Sequence, residues 1–284
     1  MPDDLAASVR AARRAYMEAG NSVTERCGAR FVLNRMCPQV WDANHVGGIG
    51  ETGPVDPRGL LVAIEEEFAW AAHRQVLVGP AAPESLAALL TVEGYELRSE
   101  VDLVLPAGRD VPAGREVGGL AIRPVRSRED EAALVALTRA DHLEAAAAQG
   151  REPWSDDVTL QMVTVRLAKA PAVQFFLASV EGADVAFFSS VATPGPGARA
   201  VGIVEDLFTL RHHRGRGIAR ALIRHCVADA RARGAREVSI GAEPSDWPRR
   251  WYAALGFDPT LRRLAFHRSI AASGRSGPSS QISR

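Results

Sequence analysis

Three apolar stretches joined by connections too short to cross over limit what this chain can fold into. Residues 173–180 and 185–191 are separated by Glu181-Gly182-Ala183-Asp184, and Pro194-Gly195-Pro196-Gly197 separates the second from 200–210. Strands joined this closely pair antiparallel, so the segment predicts a meander. A helix is predicted next, over 218–233. Ile218, Ala219, Leu222, Ile223, Cys226, Val227 and Ala230 share one face, Arg220, Arg224 and Arg231 lie on the other, and Gly234 supplies the stop. A strand over 237–242, a helix over 247–255 and a strand over 261–268 complete the order. Upstream, 121–125 reads as a strand followed by an acidic helix start, with Ser127 as N-cap. Residues 138–170 read as irregular in pattern, with helical pieces broken at Gly150, Pro153 and Pro171. The sum is a mixed α/β (α+β) sheet with helices packed on it.

The chain has 284 residues, enough for two modest domains. Residues 106–119 hold Pro or Gly at 106, 108, 112, 114, 118 and 119, which suits a linker better than a ladder or helix. The expected division is therefore 1–118, 119–272 and a disordered Ser/Gly/Pro-rich tail over 273–284. In the first half, a helix over 60–72, a strand over 75–78, a helix over 84–91, Gly94-Tyr95 and a strand over 101–105 repeat the order that closes the second half. Gly94-Tyr95 stands where Gly256-Phe257 stands. That order suggests a diverged duplication; the alternative is coincidence between two α/β units. Lys+Arg equals Asp+Glu at 34 each, which argues against a generally basic nucleic-acid binder. No apolar run is long enough to span a bilayer, and the acidic start lacks a secretory pattern. Cys27, Cys37 and Cys226 lack metal-ligand spacing, so the expectation is a cytoplasmic protein with reduced thiols and no metal.

The segment Arg211-His212-His213-Arg214-Gly215-Arg216-Gly217-Ile218-Ala219 lies between a strand and the strongest helix. From Arg211 to His225 there are five arginines, three histidines and no acid. A glycine-rich turn entering a helix presents outward-pointing amides at the positive end of the dipole, a site suited to phosphates. The P-loop string G-x-x-x-x-G-K-[ST] is absent, and Arg220 occupies the position where a dinucleotide fingerprint needs a small residue.

This loop resembles the pyrophosphate loop of the GNAT superfamily of acyl-CoA-dependent N-acyltransferases, Gln/Arg-x-x-Gly-x-Gly/Ala, with His212 departing at its first position. Trp251-Tyr252-Ala253-Ala254-Leu255-Gly256-Phe257 is similar to the family's second signature, and Ile122-Arg123-Pro124 with its acidic helix to its first strand and helix. The resemblance covers about 120–270. It implies two GNAT-like mixed-sheet domains in tandem, the C-terminal one complete, with acetyl-CoA as co-substrate and an amine as acceptor. It further implies coenzyme contacts from the amides of His212, His213, Arg214, Gly215, Arg216 and Gly217, with Ile218 and Ala219 at the helix start. The splayed strand at Leu207, Phe208, Thr209 and Leu210 would hold the pantetheine arm, and a strand amide at Phe208 or beside it would bind the oxyanion. Tyr252 would protonate the leaving thiolate.

Glu205 and Asp206 are adjacent on one strand, so their side chains are expected on opposite faces of the sheet. Glu205, in phase with Leu207 and Thr209, is favoured as base. The alternative for both acids is salt bridging beside the arginine loop, and for Tyr252 it is packing. Asp141, His142, Glu144, Trp154, Asp156 and Asp157 fall in the segment where this family builds its acceptor site; an ordinary polar loop is the other reading. Cys226 is expected in the core, His213 and His225 beside the arginines, and Trp247 and Trp251 in packing or at a cleft rim. In the first half, Arg58-Gly59-Leu60-Leu61 lacks the second glycine, so that half is expected not to bind coenzyme A. Its Trp41-Asp42-Ala43-Asn44-His45 cluster could wall the acceptor site or be a satisfied turn. The competing function is a non-catalytic acyl-CoA sensor or scaffold; nucleic-acid binding is a distant third, and the chain is expected as a monomer or homodimer.

Overall fold

The computed structural model describes residues 2–192 and 200–270. The expected turn at Pro194–Gly197 and the tail at 273–284 lie outside them. The chain opens with α1 (Pro2–Glu18), then β1 (Ser22–Arg26), β2 (Ala29–Leu33), β3 (His45–Gly47), α2 (Pro57–Glu67), β4 (His73–Val78), α3 (Glu84–Val92) and β5 (Glu96–Leu105). The second half runs β6 (Leu120–Pro124), α4 (Arg128–Gln149), α5 (Asp156–Ala168), β7 (Val173–Val180), β8 (Ala183–Ala192), β9 (Val201–Thr209), α6 (Ile218–Ala232), β10 (Glu237–Ala242), α7 (Trp247–Ala254) and β11 (Asp258–Ser269). Two compact units form, Met1–Ala19 with Val101–Leu261 and Gly20–Glu100 with Arg262–Arg284. The sequence had pointed instead to one division near residue 118.

In the larger unit, β6, β7, β8 and β9 form the expected antiparallel meander. The chain then crosses through α6 to β10, which pairs parallel with β9 and antiparallel with residues 101–105 of β5. Side chains alternate between two apolar layers. Phe176, Ala178, Val204 and Ile240 pack under α6 and α7 with Leu222, Ile223 and Leu255. Phe175, Leu177, Ile203 and Val104 pack under α1, α4 and α5 with Val9, Leu134 and Val163. α1 has no counterpart among the expected elements, although Val9, Ala12 and Tyr16 recur at helical spacing and are buried.

In the smaller unit, β1, β2 and β3 form an antiparallel meander, β3 runs parallel to β4, and β4 pairs antiparallel with residues 264–269 of β11. Phe31, Val46, Val76 and Phe266 pack against α2 and α3 through Leu60, Ile64, Leu86 and Leu90. This repeats the meander, helix, parallel strand, helix order of the larger unit, the tandem mixed-sheet arrangement expected from the sequence. The last strands are exchanged. β5 follows α3 in the chain but ends against β10, and β11 follows α7 but ends against β4.

The helical pieces expected within 138–170 are two regular helices, parted between Gly150 and Ser155. α4 runs unbroken for 22 residues from a Ser127–Asp130 capping box to Gly150, which closes it at φ 62°. Ser155 then caps α5. Gly150 and Pro153 thus mark one joint between two helices, and the alanines at 145–148 carry α4 to it. Residues 106–119 hold no regular element, as expected, yet they lie against α6. Val111 is buried, and Arg231 donates to Asp110 at 2.7 Å and to the Arg109 carbonyl at 2.6 Å.

Candidate active site

Pairing between β9 and β10 runs from Val201↔Glu237 to Val204↔Ile240 and stops there, while β9 continues to Thr209. Beyond Val204 the edge of β9 on the β10 side has no strand partner among the described residues. Leu210 donates its amide to the Val185 carbonyl at 2.9 Å. Amides alternate along a strand, so that of Phe208 also faces β8, while that of Thr209 faces the open edge. The hydroxyl of Thr209 is buried with no hydrogen-bond partner among the described residues.

The loop after β9 turns through a short 3₁₀ segment, Arg211–His213. The amides of His213 and Arg214 are spent inside it, on the carbonyls of Leu210 at 2.9 Å and Arg211 at 3.2 Å. Gly217 is the N-cap of α6 at φ 92°, with no side chain capping the helix. A Cβ there would stand 3.3 Å from the Arg115 carbonyl in a backbone conformation that side chains avoid. Gly215, at φ 74°, and Gly217 thus bring the chain into α6 with the helix's first amides uncapped by any described side chain, an arrangement that favours an anion. Desolvation, with His212 and Arg216 nearby, lowers the His213 pKa, which leaves the arginines as the reliable cations of the loop.

Glu144, expected at the acceptor site, instead holds this loop in place. Its carboxylate accepts the Arg211 amide at 3.0 Å and pairs with Arg214 at 2.5 Å. Arg214 also donates Nε to the Thr209 carbonyl at 2.8 Å. His142 is buried between Thr159, at 2.9 Å, and the edge of Trp154. Asp156 pairs with Arg139 at 2.8 Å, and Asp157 accepts from Gln161 at 2.7 Å. Asp141 lies on the same helix, α4. Apart from Glu144, the contacts shown by these polar residues join or stabilise α4 and α5.

The expectation that Glu205 and Asp206 face opposite sides is overturned by a bulge. The register between β8 and β9 slips between Phe187↔Phe208 and Ser189↔Glu205, and Asp206 takes φ 56°. Both carboxylates consequently reach the layer of α1 and α5. Glu205 pairs with Arg13 of α1, which also bonds Asp102 on β5 at 2.8 Å. Asp206 pairs with Arg166 of α5 at 2.6 Å and accepts the Tyr16 hydroxyl at 2.9 Å. The Glu205 side chain is 28% exposed and that of Asp206 12%.

Tyr252 lies on α7, 8% exposed, in the opposite layer with Ile218 at the start of α6 and the partly buried Leu207 and Leu210. Its ring neighbours Trp251 at 5.4 Å and Phe257 at 6.4 Å. Trp251 is partly buried against this layer, and Trp247 is 66% exposed. Cys226 is core, its thiol pushed up to about 12 by desolvation. His225 packs edge-on against Phe176 and Phe188 rather than standing in solvent.

In the smaller unit, α2 starts differently. The carboxylate of Asp56 accepts from the amides of Arg58 at 3.2 Å and Gly59 at 3.0 Å, so the helix end already carries an anion. Asn44 is fully buried and bonds the Cys37 and Val40 carbonyls, which makes 41–45 a satisfied turn. Trp41 is stacked between His73 and His267 at 4.9 and 4.8 Å.

The larger unit thus joins a mixed sheet, whose parallel pair β9–β10 parts beyond Val204, to a glycine-rich helix start beside the parting. Residues 132–257 match the acetyltransferase (GNAT) family. Among solved structures, a GCN5-related N-acetyltransferase from Kribbella flavida is 20% identical, with a TM-score of 0.61 over 94% of this chain and 96% of that one. A functionally unknown conserved protein from Staphylococcus epidermidis is 13% identical, with a TM-score of 0.62 over 90% and 96%. A tandem GNAT protein from the clavulanic acid biosynthesis pathway is 21% identical, with a TM-score of 0.51 over 78% and 70%. These likenesses show the fold. No match was found among the curated proteins. Among the described residues, no helix is long and apolar enough to cross a membrane, and no group of three or more His, Cys, Asp or Glu could hold a metal.

Proposed function

We propose that this chain is a cytoplasmic N-acetyltransferase that moves an acetyl group from acetyl-CoA to a primary amine by direct attack in a ternary complex. The observation that carries the reading is the coincidence of the open β9 edge beyond Val204 with the uncapped start of α6 at Gly217. Acetyl-CoA supplies the thioester. The amides of the Gly215–Gly217 turn, Ile218 and Ala219 hold its pyrophosphate, with Arg211, Arg216 and Arg220 adding charge. The open edge beyond Val204 bonds the amide-rich arm as an added strand would.

The amine nitrogen attacks the thioester carbonyl carbon as the carbon–sulfur bond breaks. Glu205, the more exposed of the two acids, takes the proton from the amine. An amide on the open edge stabilises the oxyanion; that of Thr209 is better aimed than that of Phe208. The Tyr252 hydroxyl gives its proton to the departing thiolate.

A second reading, a non-catalytic acyl-CoA sensor or scaffold, is favoured by one observation: both Glu205 and Asp206 already hold arginine partners. Thiol release from acetyl-CoA separates the two readings, assayed with aminoglycosides, polyamines, amino acids, aryl amines and peptides with free N-termini. An acyltransferase releases thiol with one class of amine. Acetyl-CoA binding with silence across the panel moves the account to the sensor.

A further inference from the structure

We propose that Arg13 is a positioning residue of the acetyl-transfer site, brought there by a helix outside the 132–257 family match. The inference rests on the reading of Glu205 as base. α1 lies across the layer that carries both β9 carboxylates, with Val9, Ala12 and Tyr16 buried against it. From this helix Arg13 reaches two acids on different strands, Glu205 on β9 and Asp102 on β5.

The two partners are unequal. Asp102 is fully buried, and Arg13 donates Nε to its Oδ1 at 2.9 Å, with the two side chains forming an ion pair. Taking the cation from an acid this deep is strongly unfavourable, so Arg13 is anchored to Asp102. Glu205 is the outer partner and keeps solvent contact, so its bond to Arg13 Nη1 can be exchanged while the anchor holds. Tyr16, one helical turn along α1, donates to Asp206, which Arg166 also holds. α1 thus fixes the neighbouring acid as well. Arg13 sets where the Glu205 carboxylate rests and faces the amine; it does not touch the reacting atoms.

The test is steady-state kinetics of the full chain with acetyl-CoA and the fastest of spermidine, tyramine and a peptide with a free N-terminus, alongside calorimetric acetyl-CoA affinity. Arg13→Gln is expected to lower kcat about tenfold or more with acetyl-CoA affinity changed less than twofold. Arg13→Lys, which keeps a cation, should recover most of the loss. Glu205→Gln should lower kcat as well, and adding Arg13→Gln to it should cost little more, because the two act as one unit. If Arg13→Gln alone fails to fold, Arg13→Gln with Asp102→Asn removes the buried unpaired charge and takes its place. Losses that multiply in the double variant, a loss confined to acetyl-CoA affinity, or no recovery in Arg13→Lys would overturn the role. A wild-type chain that binds acetyl-CoA yet acetylates none of these amines would overturn the underlying reading, and the role with it.

Discussion

Gly217 carries more of the binding account than any other single residue. Its φ of 92° and the nearby Arg115 carbonyl leave little room for a side chain, and its position as an uncapped N-cap leaves the α6 amides for a ligand. Gly217→Glu adds bulk, backbone strain and a negative charge where a phosphate would sit. It should weaken acetyl-CoA binding at least about 100-fold while the fold persists, read by calorimetry beside circular dichroism. Tyr252→Phe removes one hydroxyl from a packed ring. Turnover should fall about 100-fold with acetyl-CoA affinity unchanged, within the usual range for a lost general acid. Unchanged turnover would return Tyr252 to a packing role.

At the level of elements, helix ends were the most legible part of the sequence because they depend on local chemistry. Ser127, Gly150 and Gly234 act where a cap or stop was readable from the residue alone. The two Leu/Tyr-x-x-x-Gly ends also match. The amide of Tyr95 bonds the Leu90 carbonyl and that of Phe257 bonds the Tyr252 carbonyl, at 3.0 and 3.1 Å. Leu90 therefore holds the first-half position of Tyr252, without a hydroxyl. The bulge at Asp206 was not legible, since strict alternation along β9 is the default and only pairing with β8 shows the slip. The role of Glu144 was hidden for the same reason: its partners, Arg211 and Arg214, are distant in sequence and meet it only through the fold. The facing strands β4 and β11 add a pH dependence. Burial lowers His73 and His267 to about 4 from an ordinary value near 6.5. Between those values the unfolded chain takes up protons that the folded chain refuses. Their contribution is intact above about pH 6.5 and is lost as pH falls toward 4, by on the order of 2 kcal/mol per histidine at pH 5. Proton NMR should show His73 and His267 still neutral at pH 5 in the folded protein, with stability to urea lower there than at pH 7. A signal from either of these two titrating near 6.5 would contradict the burial argument.

For the molecule as a whole, the exchange of last strands means that neither half of the chain holds a complete unit. Residues 119–284 alone would lack β5, which pairs with β10, and α1, which brings Arg13 to Glu205. Expressed alone, that half should be unstable and lose acetyl-CoA binding, and co-expression with 1–118 should restore it. A separate second half that folds and binds normally would show the exchanged strand to be dispensable. The duplication was legible as an order of elements, but the exchange was not, because the partners of β5 and β11 are distant in sequence and are set by the fold. The proposed function needs one coenzyme site per chain, at Gly217, because the matching end of α2 is already capped by Asp56. Calorimetric titration of the full chain with acetyl-CoA tests it most directly. The account predicts one site per chain, abolished by Gly217→Glu. Two sites, or binding that survives that substitution, would contradict it.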